Sequence, residues 1–143
     1  MNRMIFVNLP VVDLTAAKAF YESLGFANES KFTDETGACM VISETIFVML
    51  LTHAKWSTFT DRPIPDCGSS EVMLALSCAS KAEVDGLTER AGKAGGTADI
   101  NPAQDHGFMF GRDFADLDGH VWEVFWMDPA FAEQGAHQSE DVS

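Results

Sequence analysis

Short apolar runs separated by turn residues fill most of the chain, and two longer segments repeat apolar residues at helical spacing. The first predicts a helix that begins after Asp13, an N-cap residue, and ends at Leu24 before Gly25. The second begins after Ser80, which forms an S-x-x-E capping box with Glu83. The short runs are rich in β-branched and aromatic residues and predict strands at residues 4–9, 26–31, 38–43, 46–51, 72–77, 97–100, 108–114 and 120–126.

The predicted elements follow the order β-α-β-β-β twice. An offset of 67 residues places Phe6 over Met73 on the first strand of each half, and Asp13 over Ser80 at the two helix N-caps. Two features that agree on one offset indicate a duplicated unit. Neither half buries the open face of its own sheet, so we expect the halves to pair, within one chain or across a dimer, around a common interior.

The length of 143 residues suits one domain with its own hydrophobic core. We expect this domain at residues 1–128, with modules at about 4–52 and 71–128 joined by a polar bridge at 53–70. The remaining residues, 129–143, end in a stretch with few apolar side chains and predict a flexible acidic tail.

The charge and the cysteines exclude several classes of function. A formal net charge of −13 repels phosphate backbones and anionic lipid headgroups, so neither nucleic acid nor a membrane surface is expected as a partner. The three cysteines show no CxxC spacing and indicate neither a disulfide framework nor a zinc site. No apolar run approaches the length of a membrane span. These features predict a cytoplasmic protein.

Two motifs near opposite ends of the chain resemble those of a known superfamily. The segment 12–26, with its run Ala19-Phe-Tyr-Glu-Ser-Leu-Gly-Phe26, resembles the opening module of the vicinal oxygen chelate superfamily. The run 114–125, with its Asp-Leu-Asp-Gly turn, resembles the last hairpin of that superfamily, which includes glyoxalase I, extradiol dioxygenases and the fosfomycin and bleomycin resistance proteins. The resemblance covers residues 4–128. It implies an α+β fold in which two tandem βαβββ modules form a curved mixed sheet that encloses a cavity.

The resemblance also locates the positions at which enzymes of this superfamily hold a divalent metal. These ligands are histidines or glutamates on the first and last strands of the modules, and the positions fall here at Phe6, Val48, Met73 and Glu123. Only Glu123 offers a side chain that such an ion prefers, and one carboxylate does not hold it. The prediction is therefore no cofactor and no metal ligand. An atypical divalent metal site that uses Glu123 or a loop histidine is the alternative.

If Glu123 faces the cavity, strand alternation turns neighbouring apolar side chains toward it as well. The residues predicted to bind a ligand are Phe6, Asn8, Val48, Met73, Ser77, Phe108, Arg112 and Phe125. This apolar and aromatic lining with few polar groups is typical of a small-molecule pocket. The alternative is a filled core in which the apolar residues pack together and Glu123 pairs with Arg112 or with a backbone donor.

Two functions remain open at this stage. The first is a protein that binds a small, partly apolar molecule without a metal, similar to the metal-free bleomycin resistance branch of the superfamily. The second is an enzyme, a lyase or isomerase of the glyoxalase type or a dioxygenase-type member, in which Glu123 is the catalytic base or part of an unusual metal site. By the resemblance alone, we expect a homodimer.

Overall fold

Each half of the chain folds into the βαβββ unit that the sequence predicts. The computed structural model describes residues 2–131, so the tail predicted at 129–143 lies outside the described residues from residue 132 onward. The first module comprises β1 (Ile5–Val11), α1 (Leu14–Ser23), β2 (Ala27–Glu29), a 3₁₀ helix (Ser30–Phe32), β3 (Gly37–Val41) and β4 (Ile46–Thr52). The bridge begins with α2 (His53–Trp56), and the second module comprises β5 (Met73–Ser77), α3 (Lys81–Lys93), β6 (Thr97–Ala98), β7 (Gln104–Asp105), β8 (Met109–Ala115) and β9 (Val121–Met127).

The two modules form separate mixed sheets with the same topology. The first has the strand order β1-β4-β3-β2, and the second has the order β5-β9-β8-β6, with β7 paired to β8 as an addition. In both, the first strand runs parallel to the last, and the last is antiparallel to the strand before it. The predicted α+β class and its duplication are confirmed. The short strand β7 escaped the sequence pattern because two polar residues carry no alternation.

The helix ends form as their capping residues predict. The Asp13 carboxylate accepts a hydrogen bond from the Ala16 amide at 3.1 Å, and Gly25 ends the first helix with φ of 100°. The Ser80 hydroxyl accepts from the Glu83 amide at 3.1 Å. In a capping box the Glu83 carboxylate accepts from the amide of the N-cap residue, Ser80. Here it accepts instead from the amide of the preceding residue, Ala79, at 3.3 Å.

One hydrophobic core is shared by the two modules. Helices α1 and α3 each cover one face of their own sheet, and their buried side chains join a single cluster. Phe20 of α1 contacts Phe114 of β8, with ring centroids 6.3 Å apart, so the cluster crosses the module boundary. Neither α1 nor α3 covers the opposite face of its sheet. Large apolar side chains on the two outer strands are consequently exposed, with Phe6 at 47% and Met73 at 59%.

The Asp-Leu-Asp-Gly turn between β8 and β9 fastens the two modules to each other. The buried Asp116 carboxylate accepts from the Tyr21 hydroxyl of α1 at 2.5 Å, and that hydroxyl accepts from the Trp122 indole at 3.0 Å. Asp118 accepts from the Val12 amide at 2.9 Å, and the His120 ring lies 2.7 Å from the Pro10 carbonyl oxygen. The motif that carries the family resemblance therefore has a structural role at this junction.

Burial at this junction shifts the acid–base behaviour of its groups. Desolvation raises the pKa of Asp116, although hydrogen bonds to its carboxylate oppose the shift. The pKa of Tyr21 lies well above its ordinary value, first because of burial and then because of the neighbouring Asp116 charge. The phenol therefore stays protonated and remains a donor.

Gly119 allows the bridge to lie against the same turn. Its φ is 83°, and a Cβ atom at this position would come within 2.1 Å of the Cys67 carbonyl oxygen. Any other residue would combine a disfavoured backbone conformation with a clash against bridge backbone. This contact holds the middle of the bridge beside the module junction.

No helix within residues 2–131 has both the length and the apolar character needed to cross a membrane.

Candidate functional site

The open face of the second sheet presents Glu123, as strand alternation predicts. Trp122 and Val124 are buried against the helices, so Glu123 and Phe125 point to the opposite face. The parallel register of β5 and β9 pairs Ala75 with Glu123. The neighbouring pairs in that register place Met73 beside Val121 and Ser77 beside Phe125. Three of the predicted ligand-binding residues, Met73, Ser77 and Phe125, thus share the face of Glu123.

A second carboxylate lies directly across from Glu123, and the sequence reasoning missed it. Asp113 of β8 pairs with Glu123 in the antiparallel register, which puts their Cβ atoms about 5 Å apart. The amide and side chain of Asn101 donate hydrogen bonds of 3.1 Å and 2.7 Å to the two Asp113 carboxylate oxygens. Asp113 is 8% exposed and held in place, while Glu123 is half-buried. Alternation along β8 places Asp113 on the same face as Glu123, but only the register between the two strands makes the carboxylates neighbours.

These two carboxylates line a cavity of about 400 Å³. Its floor is formed by β5, β8 and β9, and its rim by the loop that carries Asn101. The lining combines apolar and polar groups: Met73, Asn101, Pro102, Ala103, Gln104, Met109, Gly111, Arg112, Asp113, Val121 and Glu123. Its volume lies within the range of small-molecule sites.

Arg112 borders this cavity, but its guanidinium group binds acidic residues outside the cavity lining. The guanidinium bonds Asp99 at 2.7 Å and Asp85 of α3 at 2.9 Å, with Glu89 of α3 at 3.9 Å. The hydrogen bonds from Arg112 hold the pKa of Asp99 below its ordinary value. The idea that Arg112 pairs with Glu123 is wrong, because β8 alternation turns Arg112 to the helix face and Asp113 to the open face. No ion pair among the described residues includes Glu123.

The first module places two predicted residues on an open face and one in the core. Phe6 stacks on Phe47 of β4, with ring centroids 4.6 Å apart. Asn8 follows on the same face of β1 and lines a different cavity, beside the bridge. Val48 is completely buried in the shared core, so its predicted position on the cavity face is wrong. The register pairs Phe6 with Phe47, and Val48 is the next residue along β4. Because successive side chains of a strand point to opposite faces, Val48 points away from the face of Phe6.

Phe108 lies at the tip of the β7–β8 hairpin, outside the lining of the Glu123 cavity. Its ring stacks on Phe131 at 4.1 Å between centroids and lies 6.1 Å from the His106 ring. It is 41% exposed. The aromatic pair ties the last described residues to the hairpin, which is a structural contact.

The thiols of Cys39 and Cys78 are poor nucleophiles at neutral pH. Burial raises the pKa of Cys39, and burial together with the Glu83 carboxylate raises the pKa of Cys78 to about 11. Both thiols therefore stay protonated and unreactive.

The residues at the superfamily's metal positions do not fit a divalent metal. Phe6 and Met73 occupy two of these positions, and on β4 the residue paired with Phe6 is Phe47 instead of Val48. Glu123 and Asp113 together supply two carboxylates, below the three protein ligands of a catalytic site. Within residues 2–131 no three His, Cys, Asp or Glu side chains converge on a point that could hold an ion.

Comparison with known proteins supports the fold and the resemblance. A family model described as bleomycin resistance protein-like N-terminal matches residues 3–43. No curated protein sequence matches the chain.

Solved structures match nearly the whole chain. A hypothetical protein from S. aureus is 26% identical over 88% of this chain and 95% of its own, with a TM-score of 0.73. A glyoxalase/bleomycin resistance protein/dioxygenase family enzyme from Burkholderia phytofirmans PsJN is 17% identical, covers 88% and 99% of the two chains and has the same TM-score of 0.73. The fosfomycin resistance protein FosX from Listeria monocytogenes is 18% identical, covers 88% and 91%, and has a TM-score of 0.63.

The likenesses at 17% and 18% identity concern the fold, and the family model adds a sequence match over the first strand, the first helix and the two strands after it. The chain therefore has the fold of glyoxalase, bleomycin resistance and dioxygenase proteins, and the match of residues 3–43 supports its resemblance to the vicinal oxygen chelate superfamily.

Proposed function

We propose that this protein binds a small, partly apolar molecule on the open face of its second sheet, without the metal centre of its superfamily. The observation that carries the proposal is the Asp113–Glu123 pair in a cavity of about 400 Å³. Two like charges directly opposite each other on neighbouring strands destabilise a sheet. A bound group that neutralises them removes this cost.

The charge around the cavity favours a ligand that carries a positive group. Arg112 is the single basic residue in the lining, and its guanidinium group is already paired with Asp85 and Asp99. The chain as a whole carries a net charge of −13. An ammonium or guanidinium group would meet two carboxylates, and Met73 and Val121 would contact an apolar body. An anionic ligand would be repelled.

A homodimer is the second part of the proposal. Strands β1 and β5 are outer strands of their sheets, and each carries exposed apolar side chains. Exposed apolar edges of this kind favour pairing with another chain. A second copy that covers Phe6 and Met73 would also close the two open faces into a deeper cavity. Analytical ultracentrifugation tests this arrangement: Met73→Glu is expected to shift a dimer to the monomer.

Melting-temperature shifts test the binding itself. Two antibiotics serve as contrasting probes: metal-free bleomycin, which is cationic, and fosfomycin, which is anionic. They are chosen because the matching family model is described by bleomycin resistance and FosX by fosfomycin resistance. Matched aromatic amines and carboxylic acids extend the comparison to smaller molecules. We expect stabilisation by cationic members only, and its loss in Glu123→Gln. Stabilisation by the acids alone would contradict the proposed charge preference.

An enzyme of the lyase or isomerase type is the alternative, and the pair of carboxylates favours it as well. Asn101 holds both Asp113 oxygens, whereas Glu123 is left to accept a proton from a substrate C–H group. Conversion of the hemithioacetal of methylglyoxal and glutathione is the direct assay. Turnover that is lost in Glu123→Gln and kept in Asp113→Asn would support the enzyme. No turnover by the wild-type protein would exclude this reaction.

The three cysteines at positions 39, 67 and 78 are free thiols, which is consistent with the cytoplasmic location that we propose for the protein.

A further inference from the structure

A second cavity lies between the bridge and the β8–β9 turn, and none of its lining residues lines the Glu123 cavity. Its volume is about 600 Å³. The apolar part of its lining comes from three separate stretches of the chain: the end of β1, the segment between α2 and β5, and the β8–β9 turn. It includes Leu9, Pro10, Ile64, Val72 and Leu117. Both the volume and the mostly apolar wall are those of small-molecule sites.

One buried polar atom in this wall has no partner. Trp56 of α2 lines the cavity, and its indole nitrogen Nε1 is buried without a hydrogen-bond acceptor among the described residues. A buried donor without an acceptor costs about 1–3 kcal/mol, and such atoms are rare in folded proteins. Trp122, by contrast, donates its indole hydrogen to the Tyr21 hydroxyl. An acceptor atom supplied by a ligand would satisfy Trp56.

The charged groups around the cavity select against anions. Asp66, Glu71 and Asp118 lie in the lining, which contains neither lysine nor arginine. Asp66 accepts a hydrogen bond from the Gly68 amide, and Asp118 accepts one from the Val12 amide. These two carboxylates therefore already stabilise the local backbone. A carboxylate or phosphate ligand would be repelled, whereas a carbonyl oxygen brings an acceptor without a charge.

We propose that this cavity binds a neutral small molecule with an apolar body, and that Trp56 Nε1 donates a hydrogen bond to its carbonyl oxygen. Because the indole nitrogen is covered, the ligand must displace part of the wall to reach it. Residues 57–72, between α2 and β5, form neither helix nor strand, so few backbone hydrogen bonds resist such a movement. The site is separate from the one proposed at Glu123 and does not depend on it.

Indole resonances in the ¹H–¹⁵N spectrum test the proposal on the intact chain. The three tryptophans give three indole signals, and N-methylbenzamide, benzoate and benzylamine present one ring with a neutral, an anionic and a cationic head. We expect the amide to move the Trp56 signal saturably in the direction of stronger hydrogen bonding. Benzoate is expected to leave the signal in place, and the Trp122 signal should not respond to any probe.

Two tryptophan variants then test whether the indole N–H of Trp56 itself contributes to amide binding. Trp56→Phe is expected to weaken amide binding about threefold to tenfold, the contribution of one neutral hydrogen bond. Trp126→Phe, outside the cavity lining, is the matched control and should bind as the wild type does. The Trp56 shift should persist in Glu123→Gln. An unmoved Trp56 signal up to the solubility limit of the amide, or an equal shift with benzoate, would overturn the proposal, and the wild-type spectrum alone suffices for either result.

Discussion

Removal of one buried hydroxyl group at the module junction should cost more than the loss of an ordinary hydrogen bond. Tyr21 is 1% exposed, and its hydroxyl both donates to Asp116 at 2.5 Å and accepts from Trp122 at 3.0 Å. Tyr21→Phe removes a bond to a carboxylate, worth about 1.5–3 kcal/mol, and leaves a buried indole N–H without a partner, at about 1–3 kcal/mol. The lower desolvation cost of phenylalanine offsets part of this. We expect a net loss of about 2–4 kcal/mol.

Urea unfolding at pH 7 and fixed protein concentration measures this loss. The midpoint should fall while the slope m stays unchanged, because the rest of the fold is kept. Thr88→Val is the matched control, since Thr88 is also a buried hydroxyl but bonds only the Val84 carbonyl oxygen within α3. We expect about 1 kcal/mol or less for the control. If Tyr21→Phe costs no more than Thr88→Val, the hydroxyl does not fasten the modules.

Three further predictions concern a turn glycine, a buried carboxylate and the two faces of the sheets. Gly119→Ala should cost about 2–4 kcal/mol in urea unfolding, against about 1–2 kcal/mol for Gly25→Ala, because both have positive φ but only Gly119 meets neighbouring backbone; equal costs would remove the bridge contact from the account. Burial raises the pKa of Asp116, so the folded state holds this proton more tightly than the unfolded state does. The stability of the wild type relative to Asp116→Asn should therefore fall as pH rises from the ordinary value of 3.8 through the raised pKa; a rise, seen in denaturant midpoints across that window, would contradict the sign. Val48→Ala should cost about 2 kcal/mol in chemical unfolding, whereas Met73→Ala should change monomer stability by less than about 0.5 kcal/mol; the reverse order would mean that the two faces are exchanged.

The fold was predictable because its signals are local and repeated. The N-cap Asp13, the stop at Gly25 and the capping serine at position 80 each mark a helix end by short-range hydrogen bonding or backbone preference, and all three act in the structure as the sequence indicates. The alternation on β9 likewise places Glu123 opposite the buried Trp122.

The candidate site was less predictable because it depends on register between strands. The family pattern predicts Val48 on the cavity face, yet the pairing of β1 with β4 puts Phe47 beside Phe6 and turns Val48 into the core. Asp113 was missed because its partnership with Glu123 arises from β8–β9 pairing, which a single strand does not reveal. Arg112 illustrates the same limit, since its three acidic neighbours lie on other elements.

The central claim is that Glu123, beside Asp113, anchors a positively charged ligand on the open face of the second sheet. Calorimetric titration of the most stabilising aromatic amine into the wild type, Glu123→Gln and Glu22→Gln tests it most directly, because the two variants lose the same charge and Glu22 lies exposed on α1. We predict that Glu123→Gln raises Kd about 10-fold to 100-fold, as expected for loss of one charge-assisted hydrogen bond, and that Glu22→Gln leaves Kd unchanged. Equal affinities in all three proteins would contradict the account.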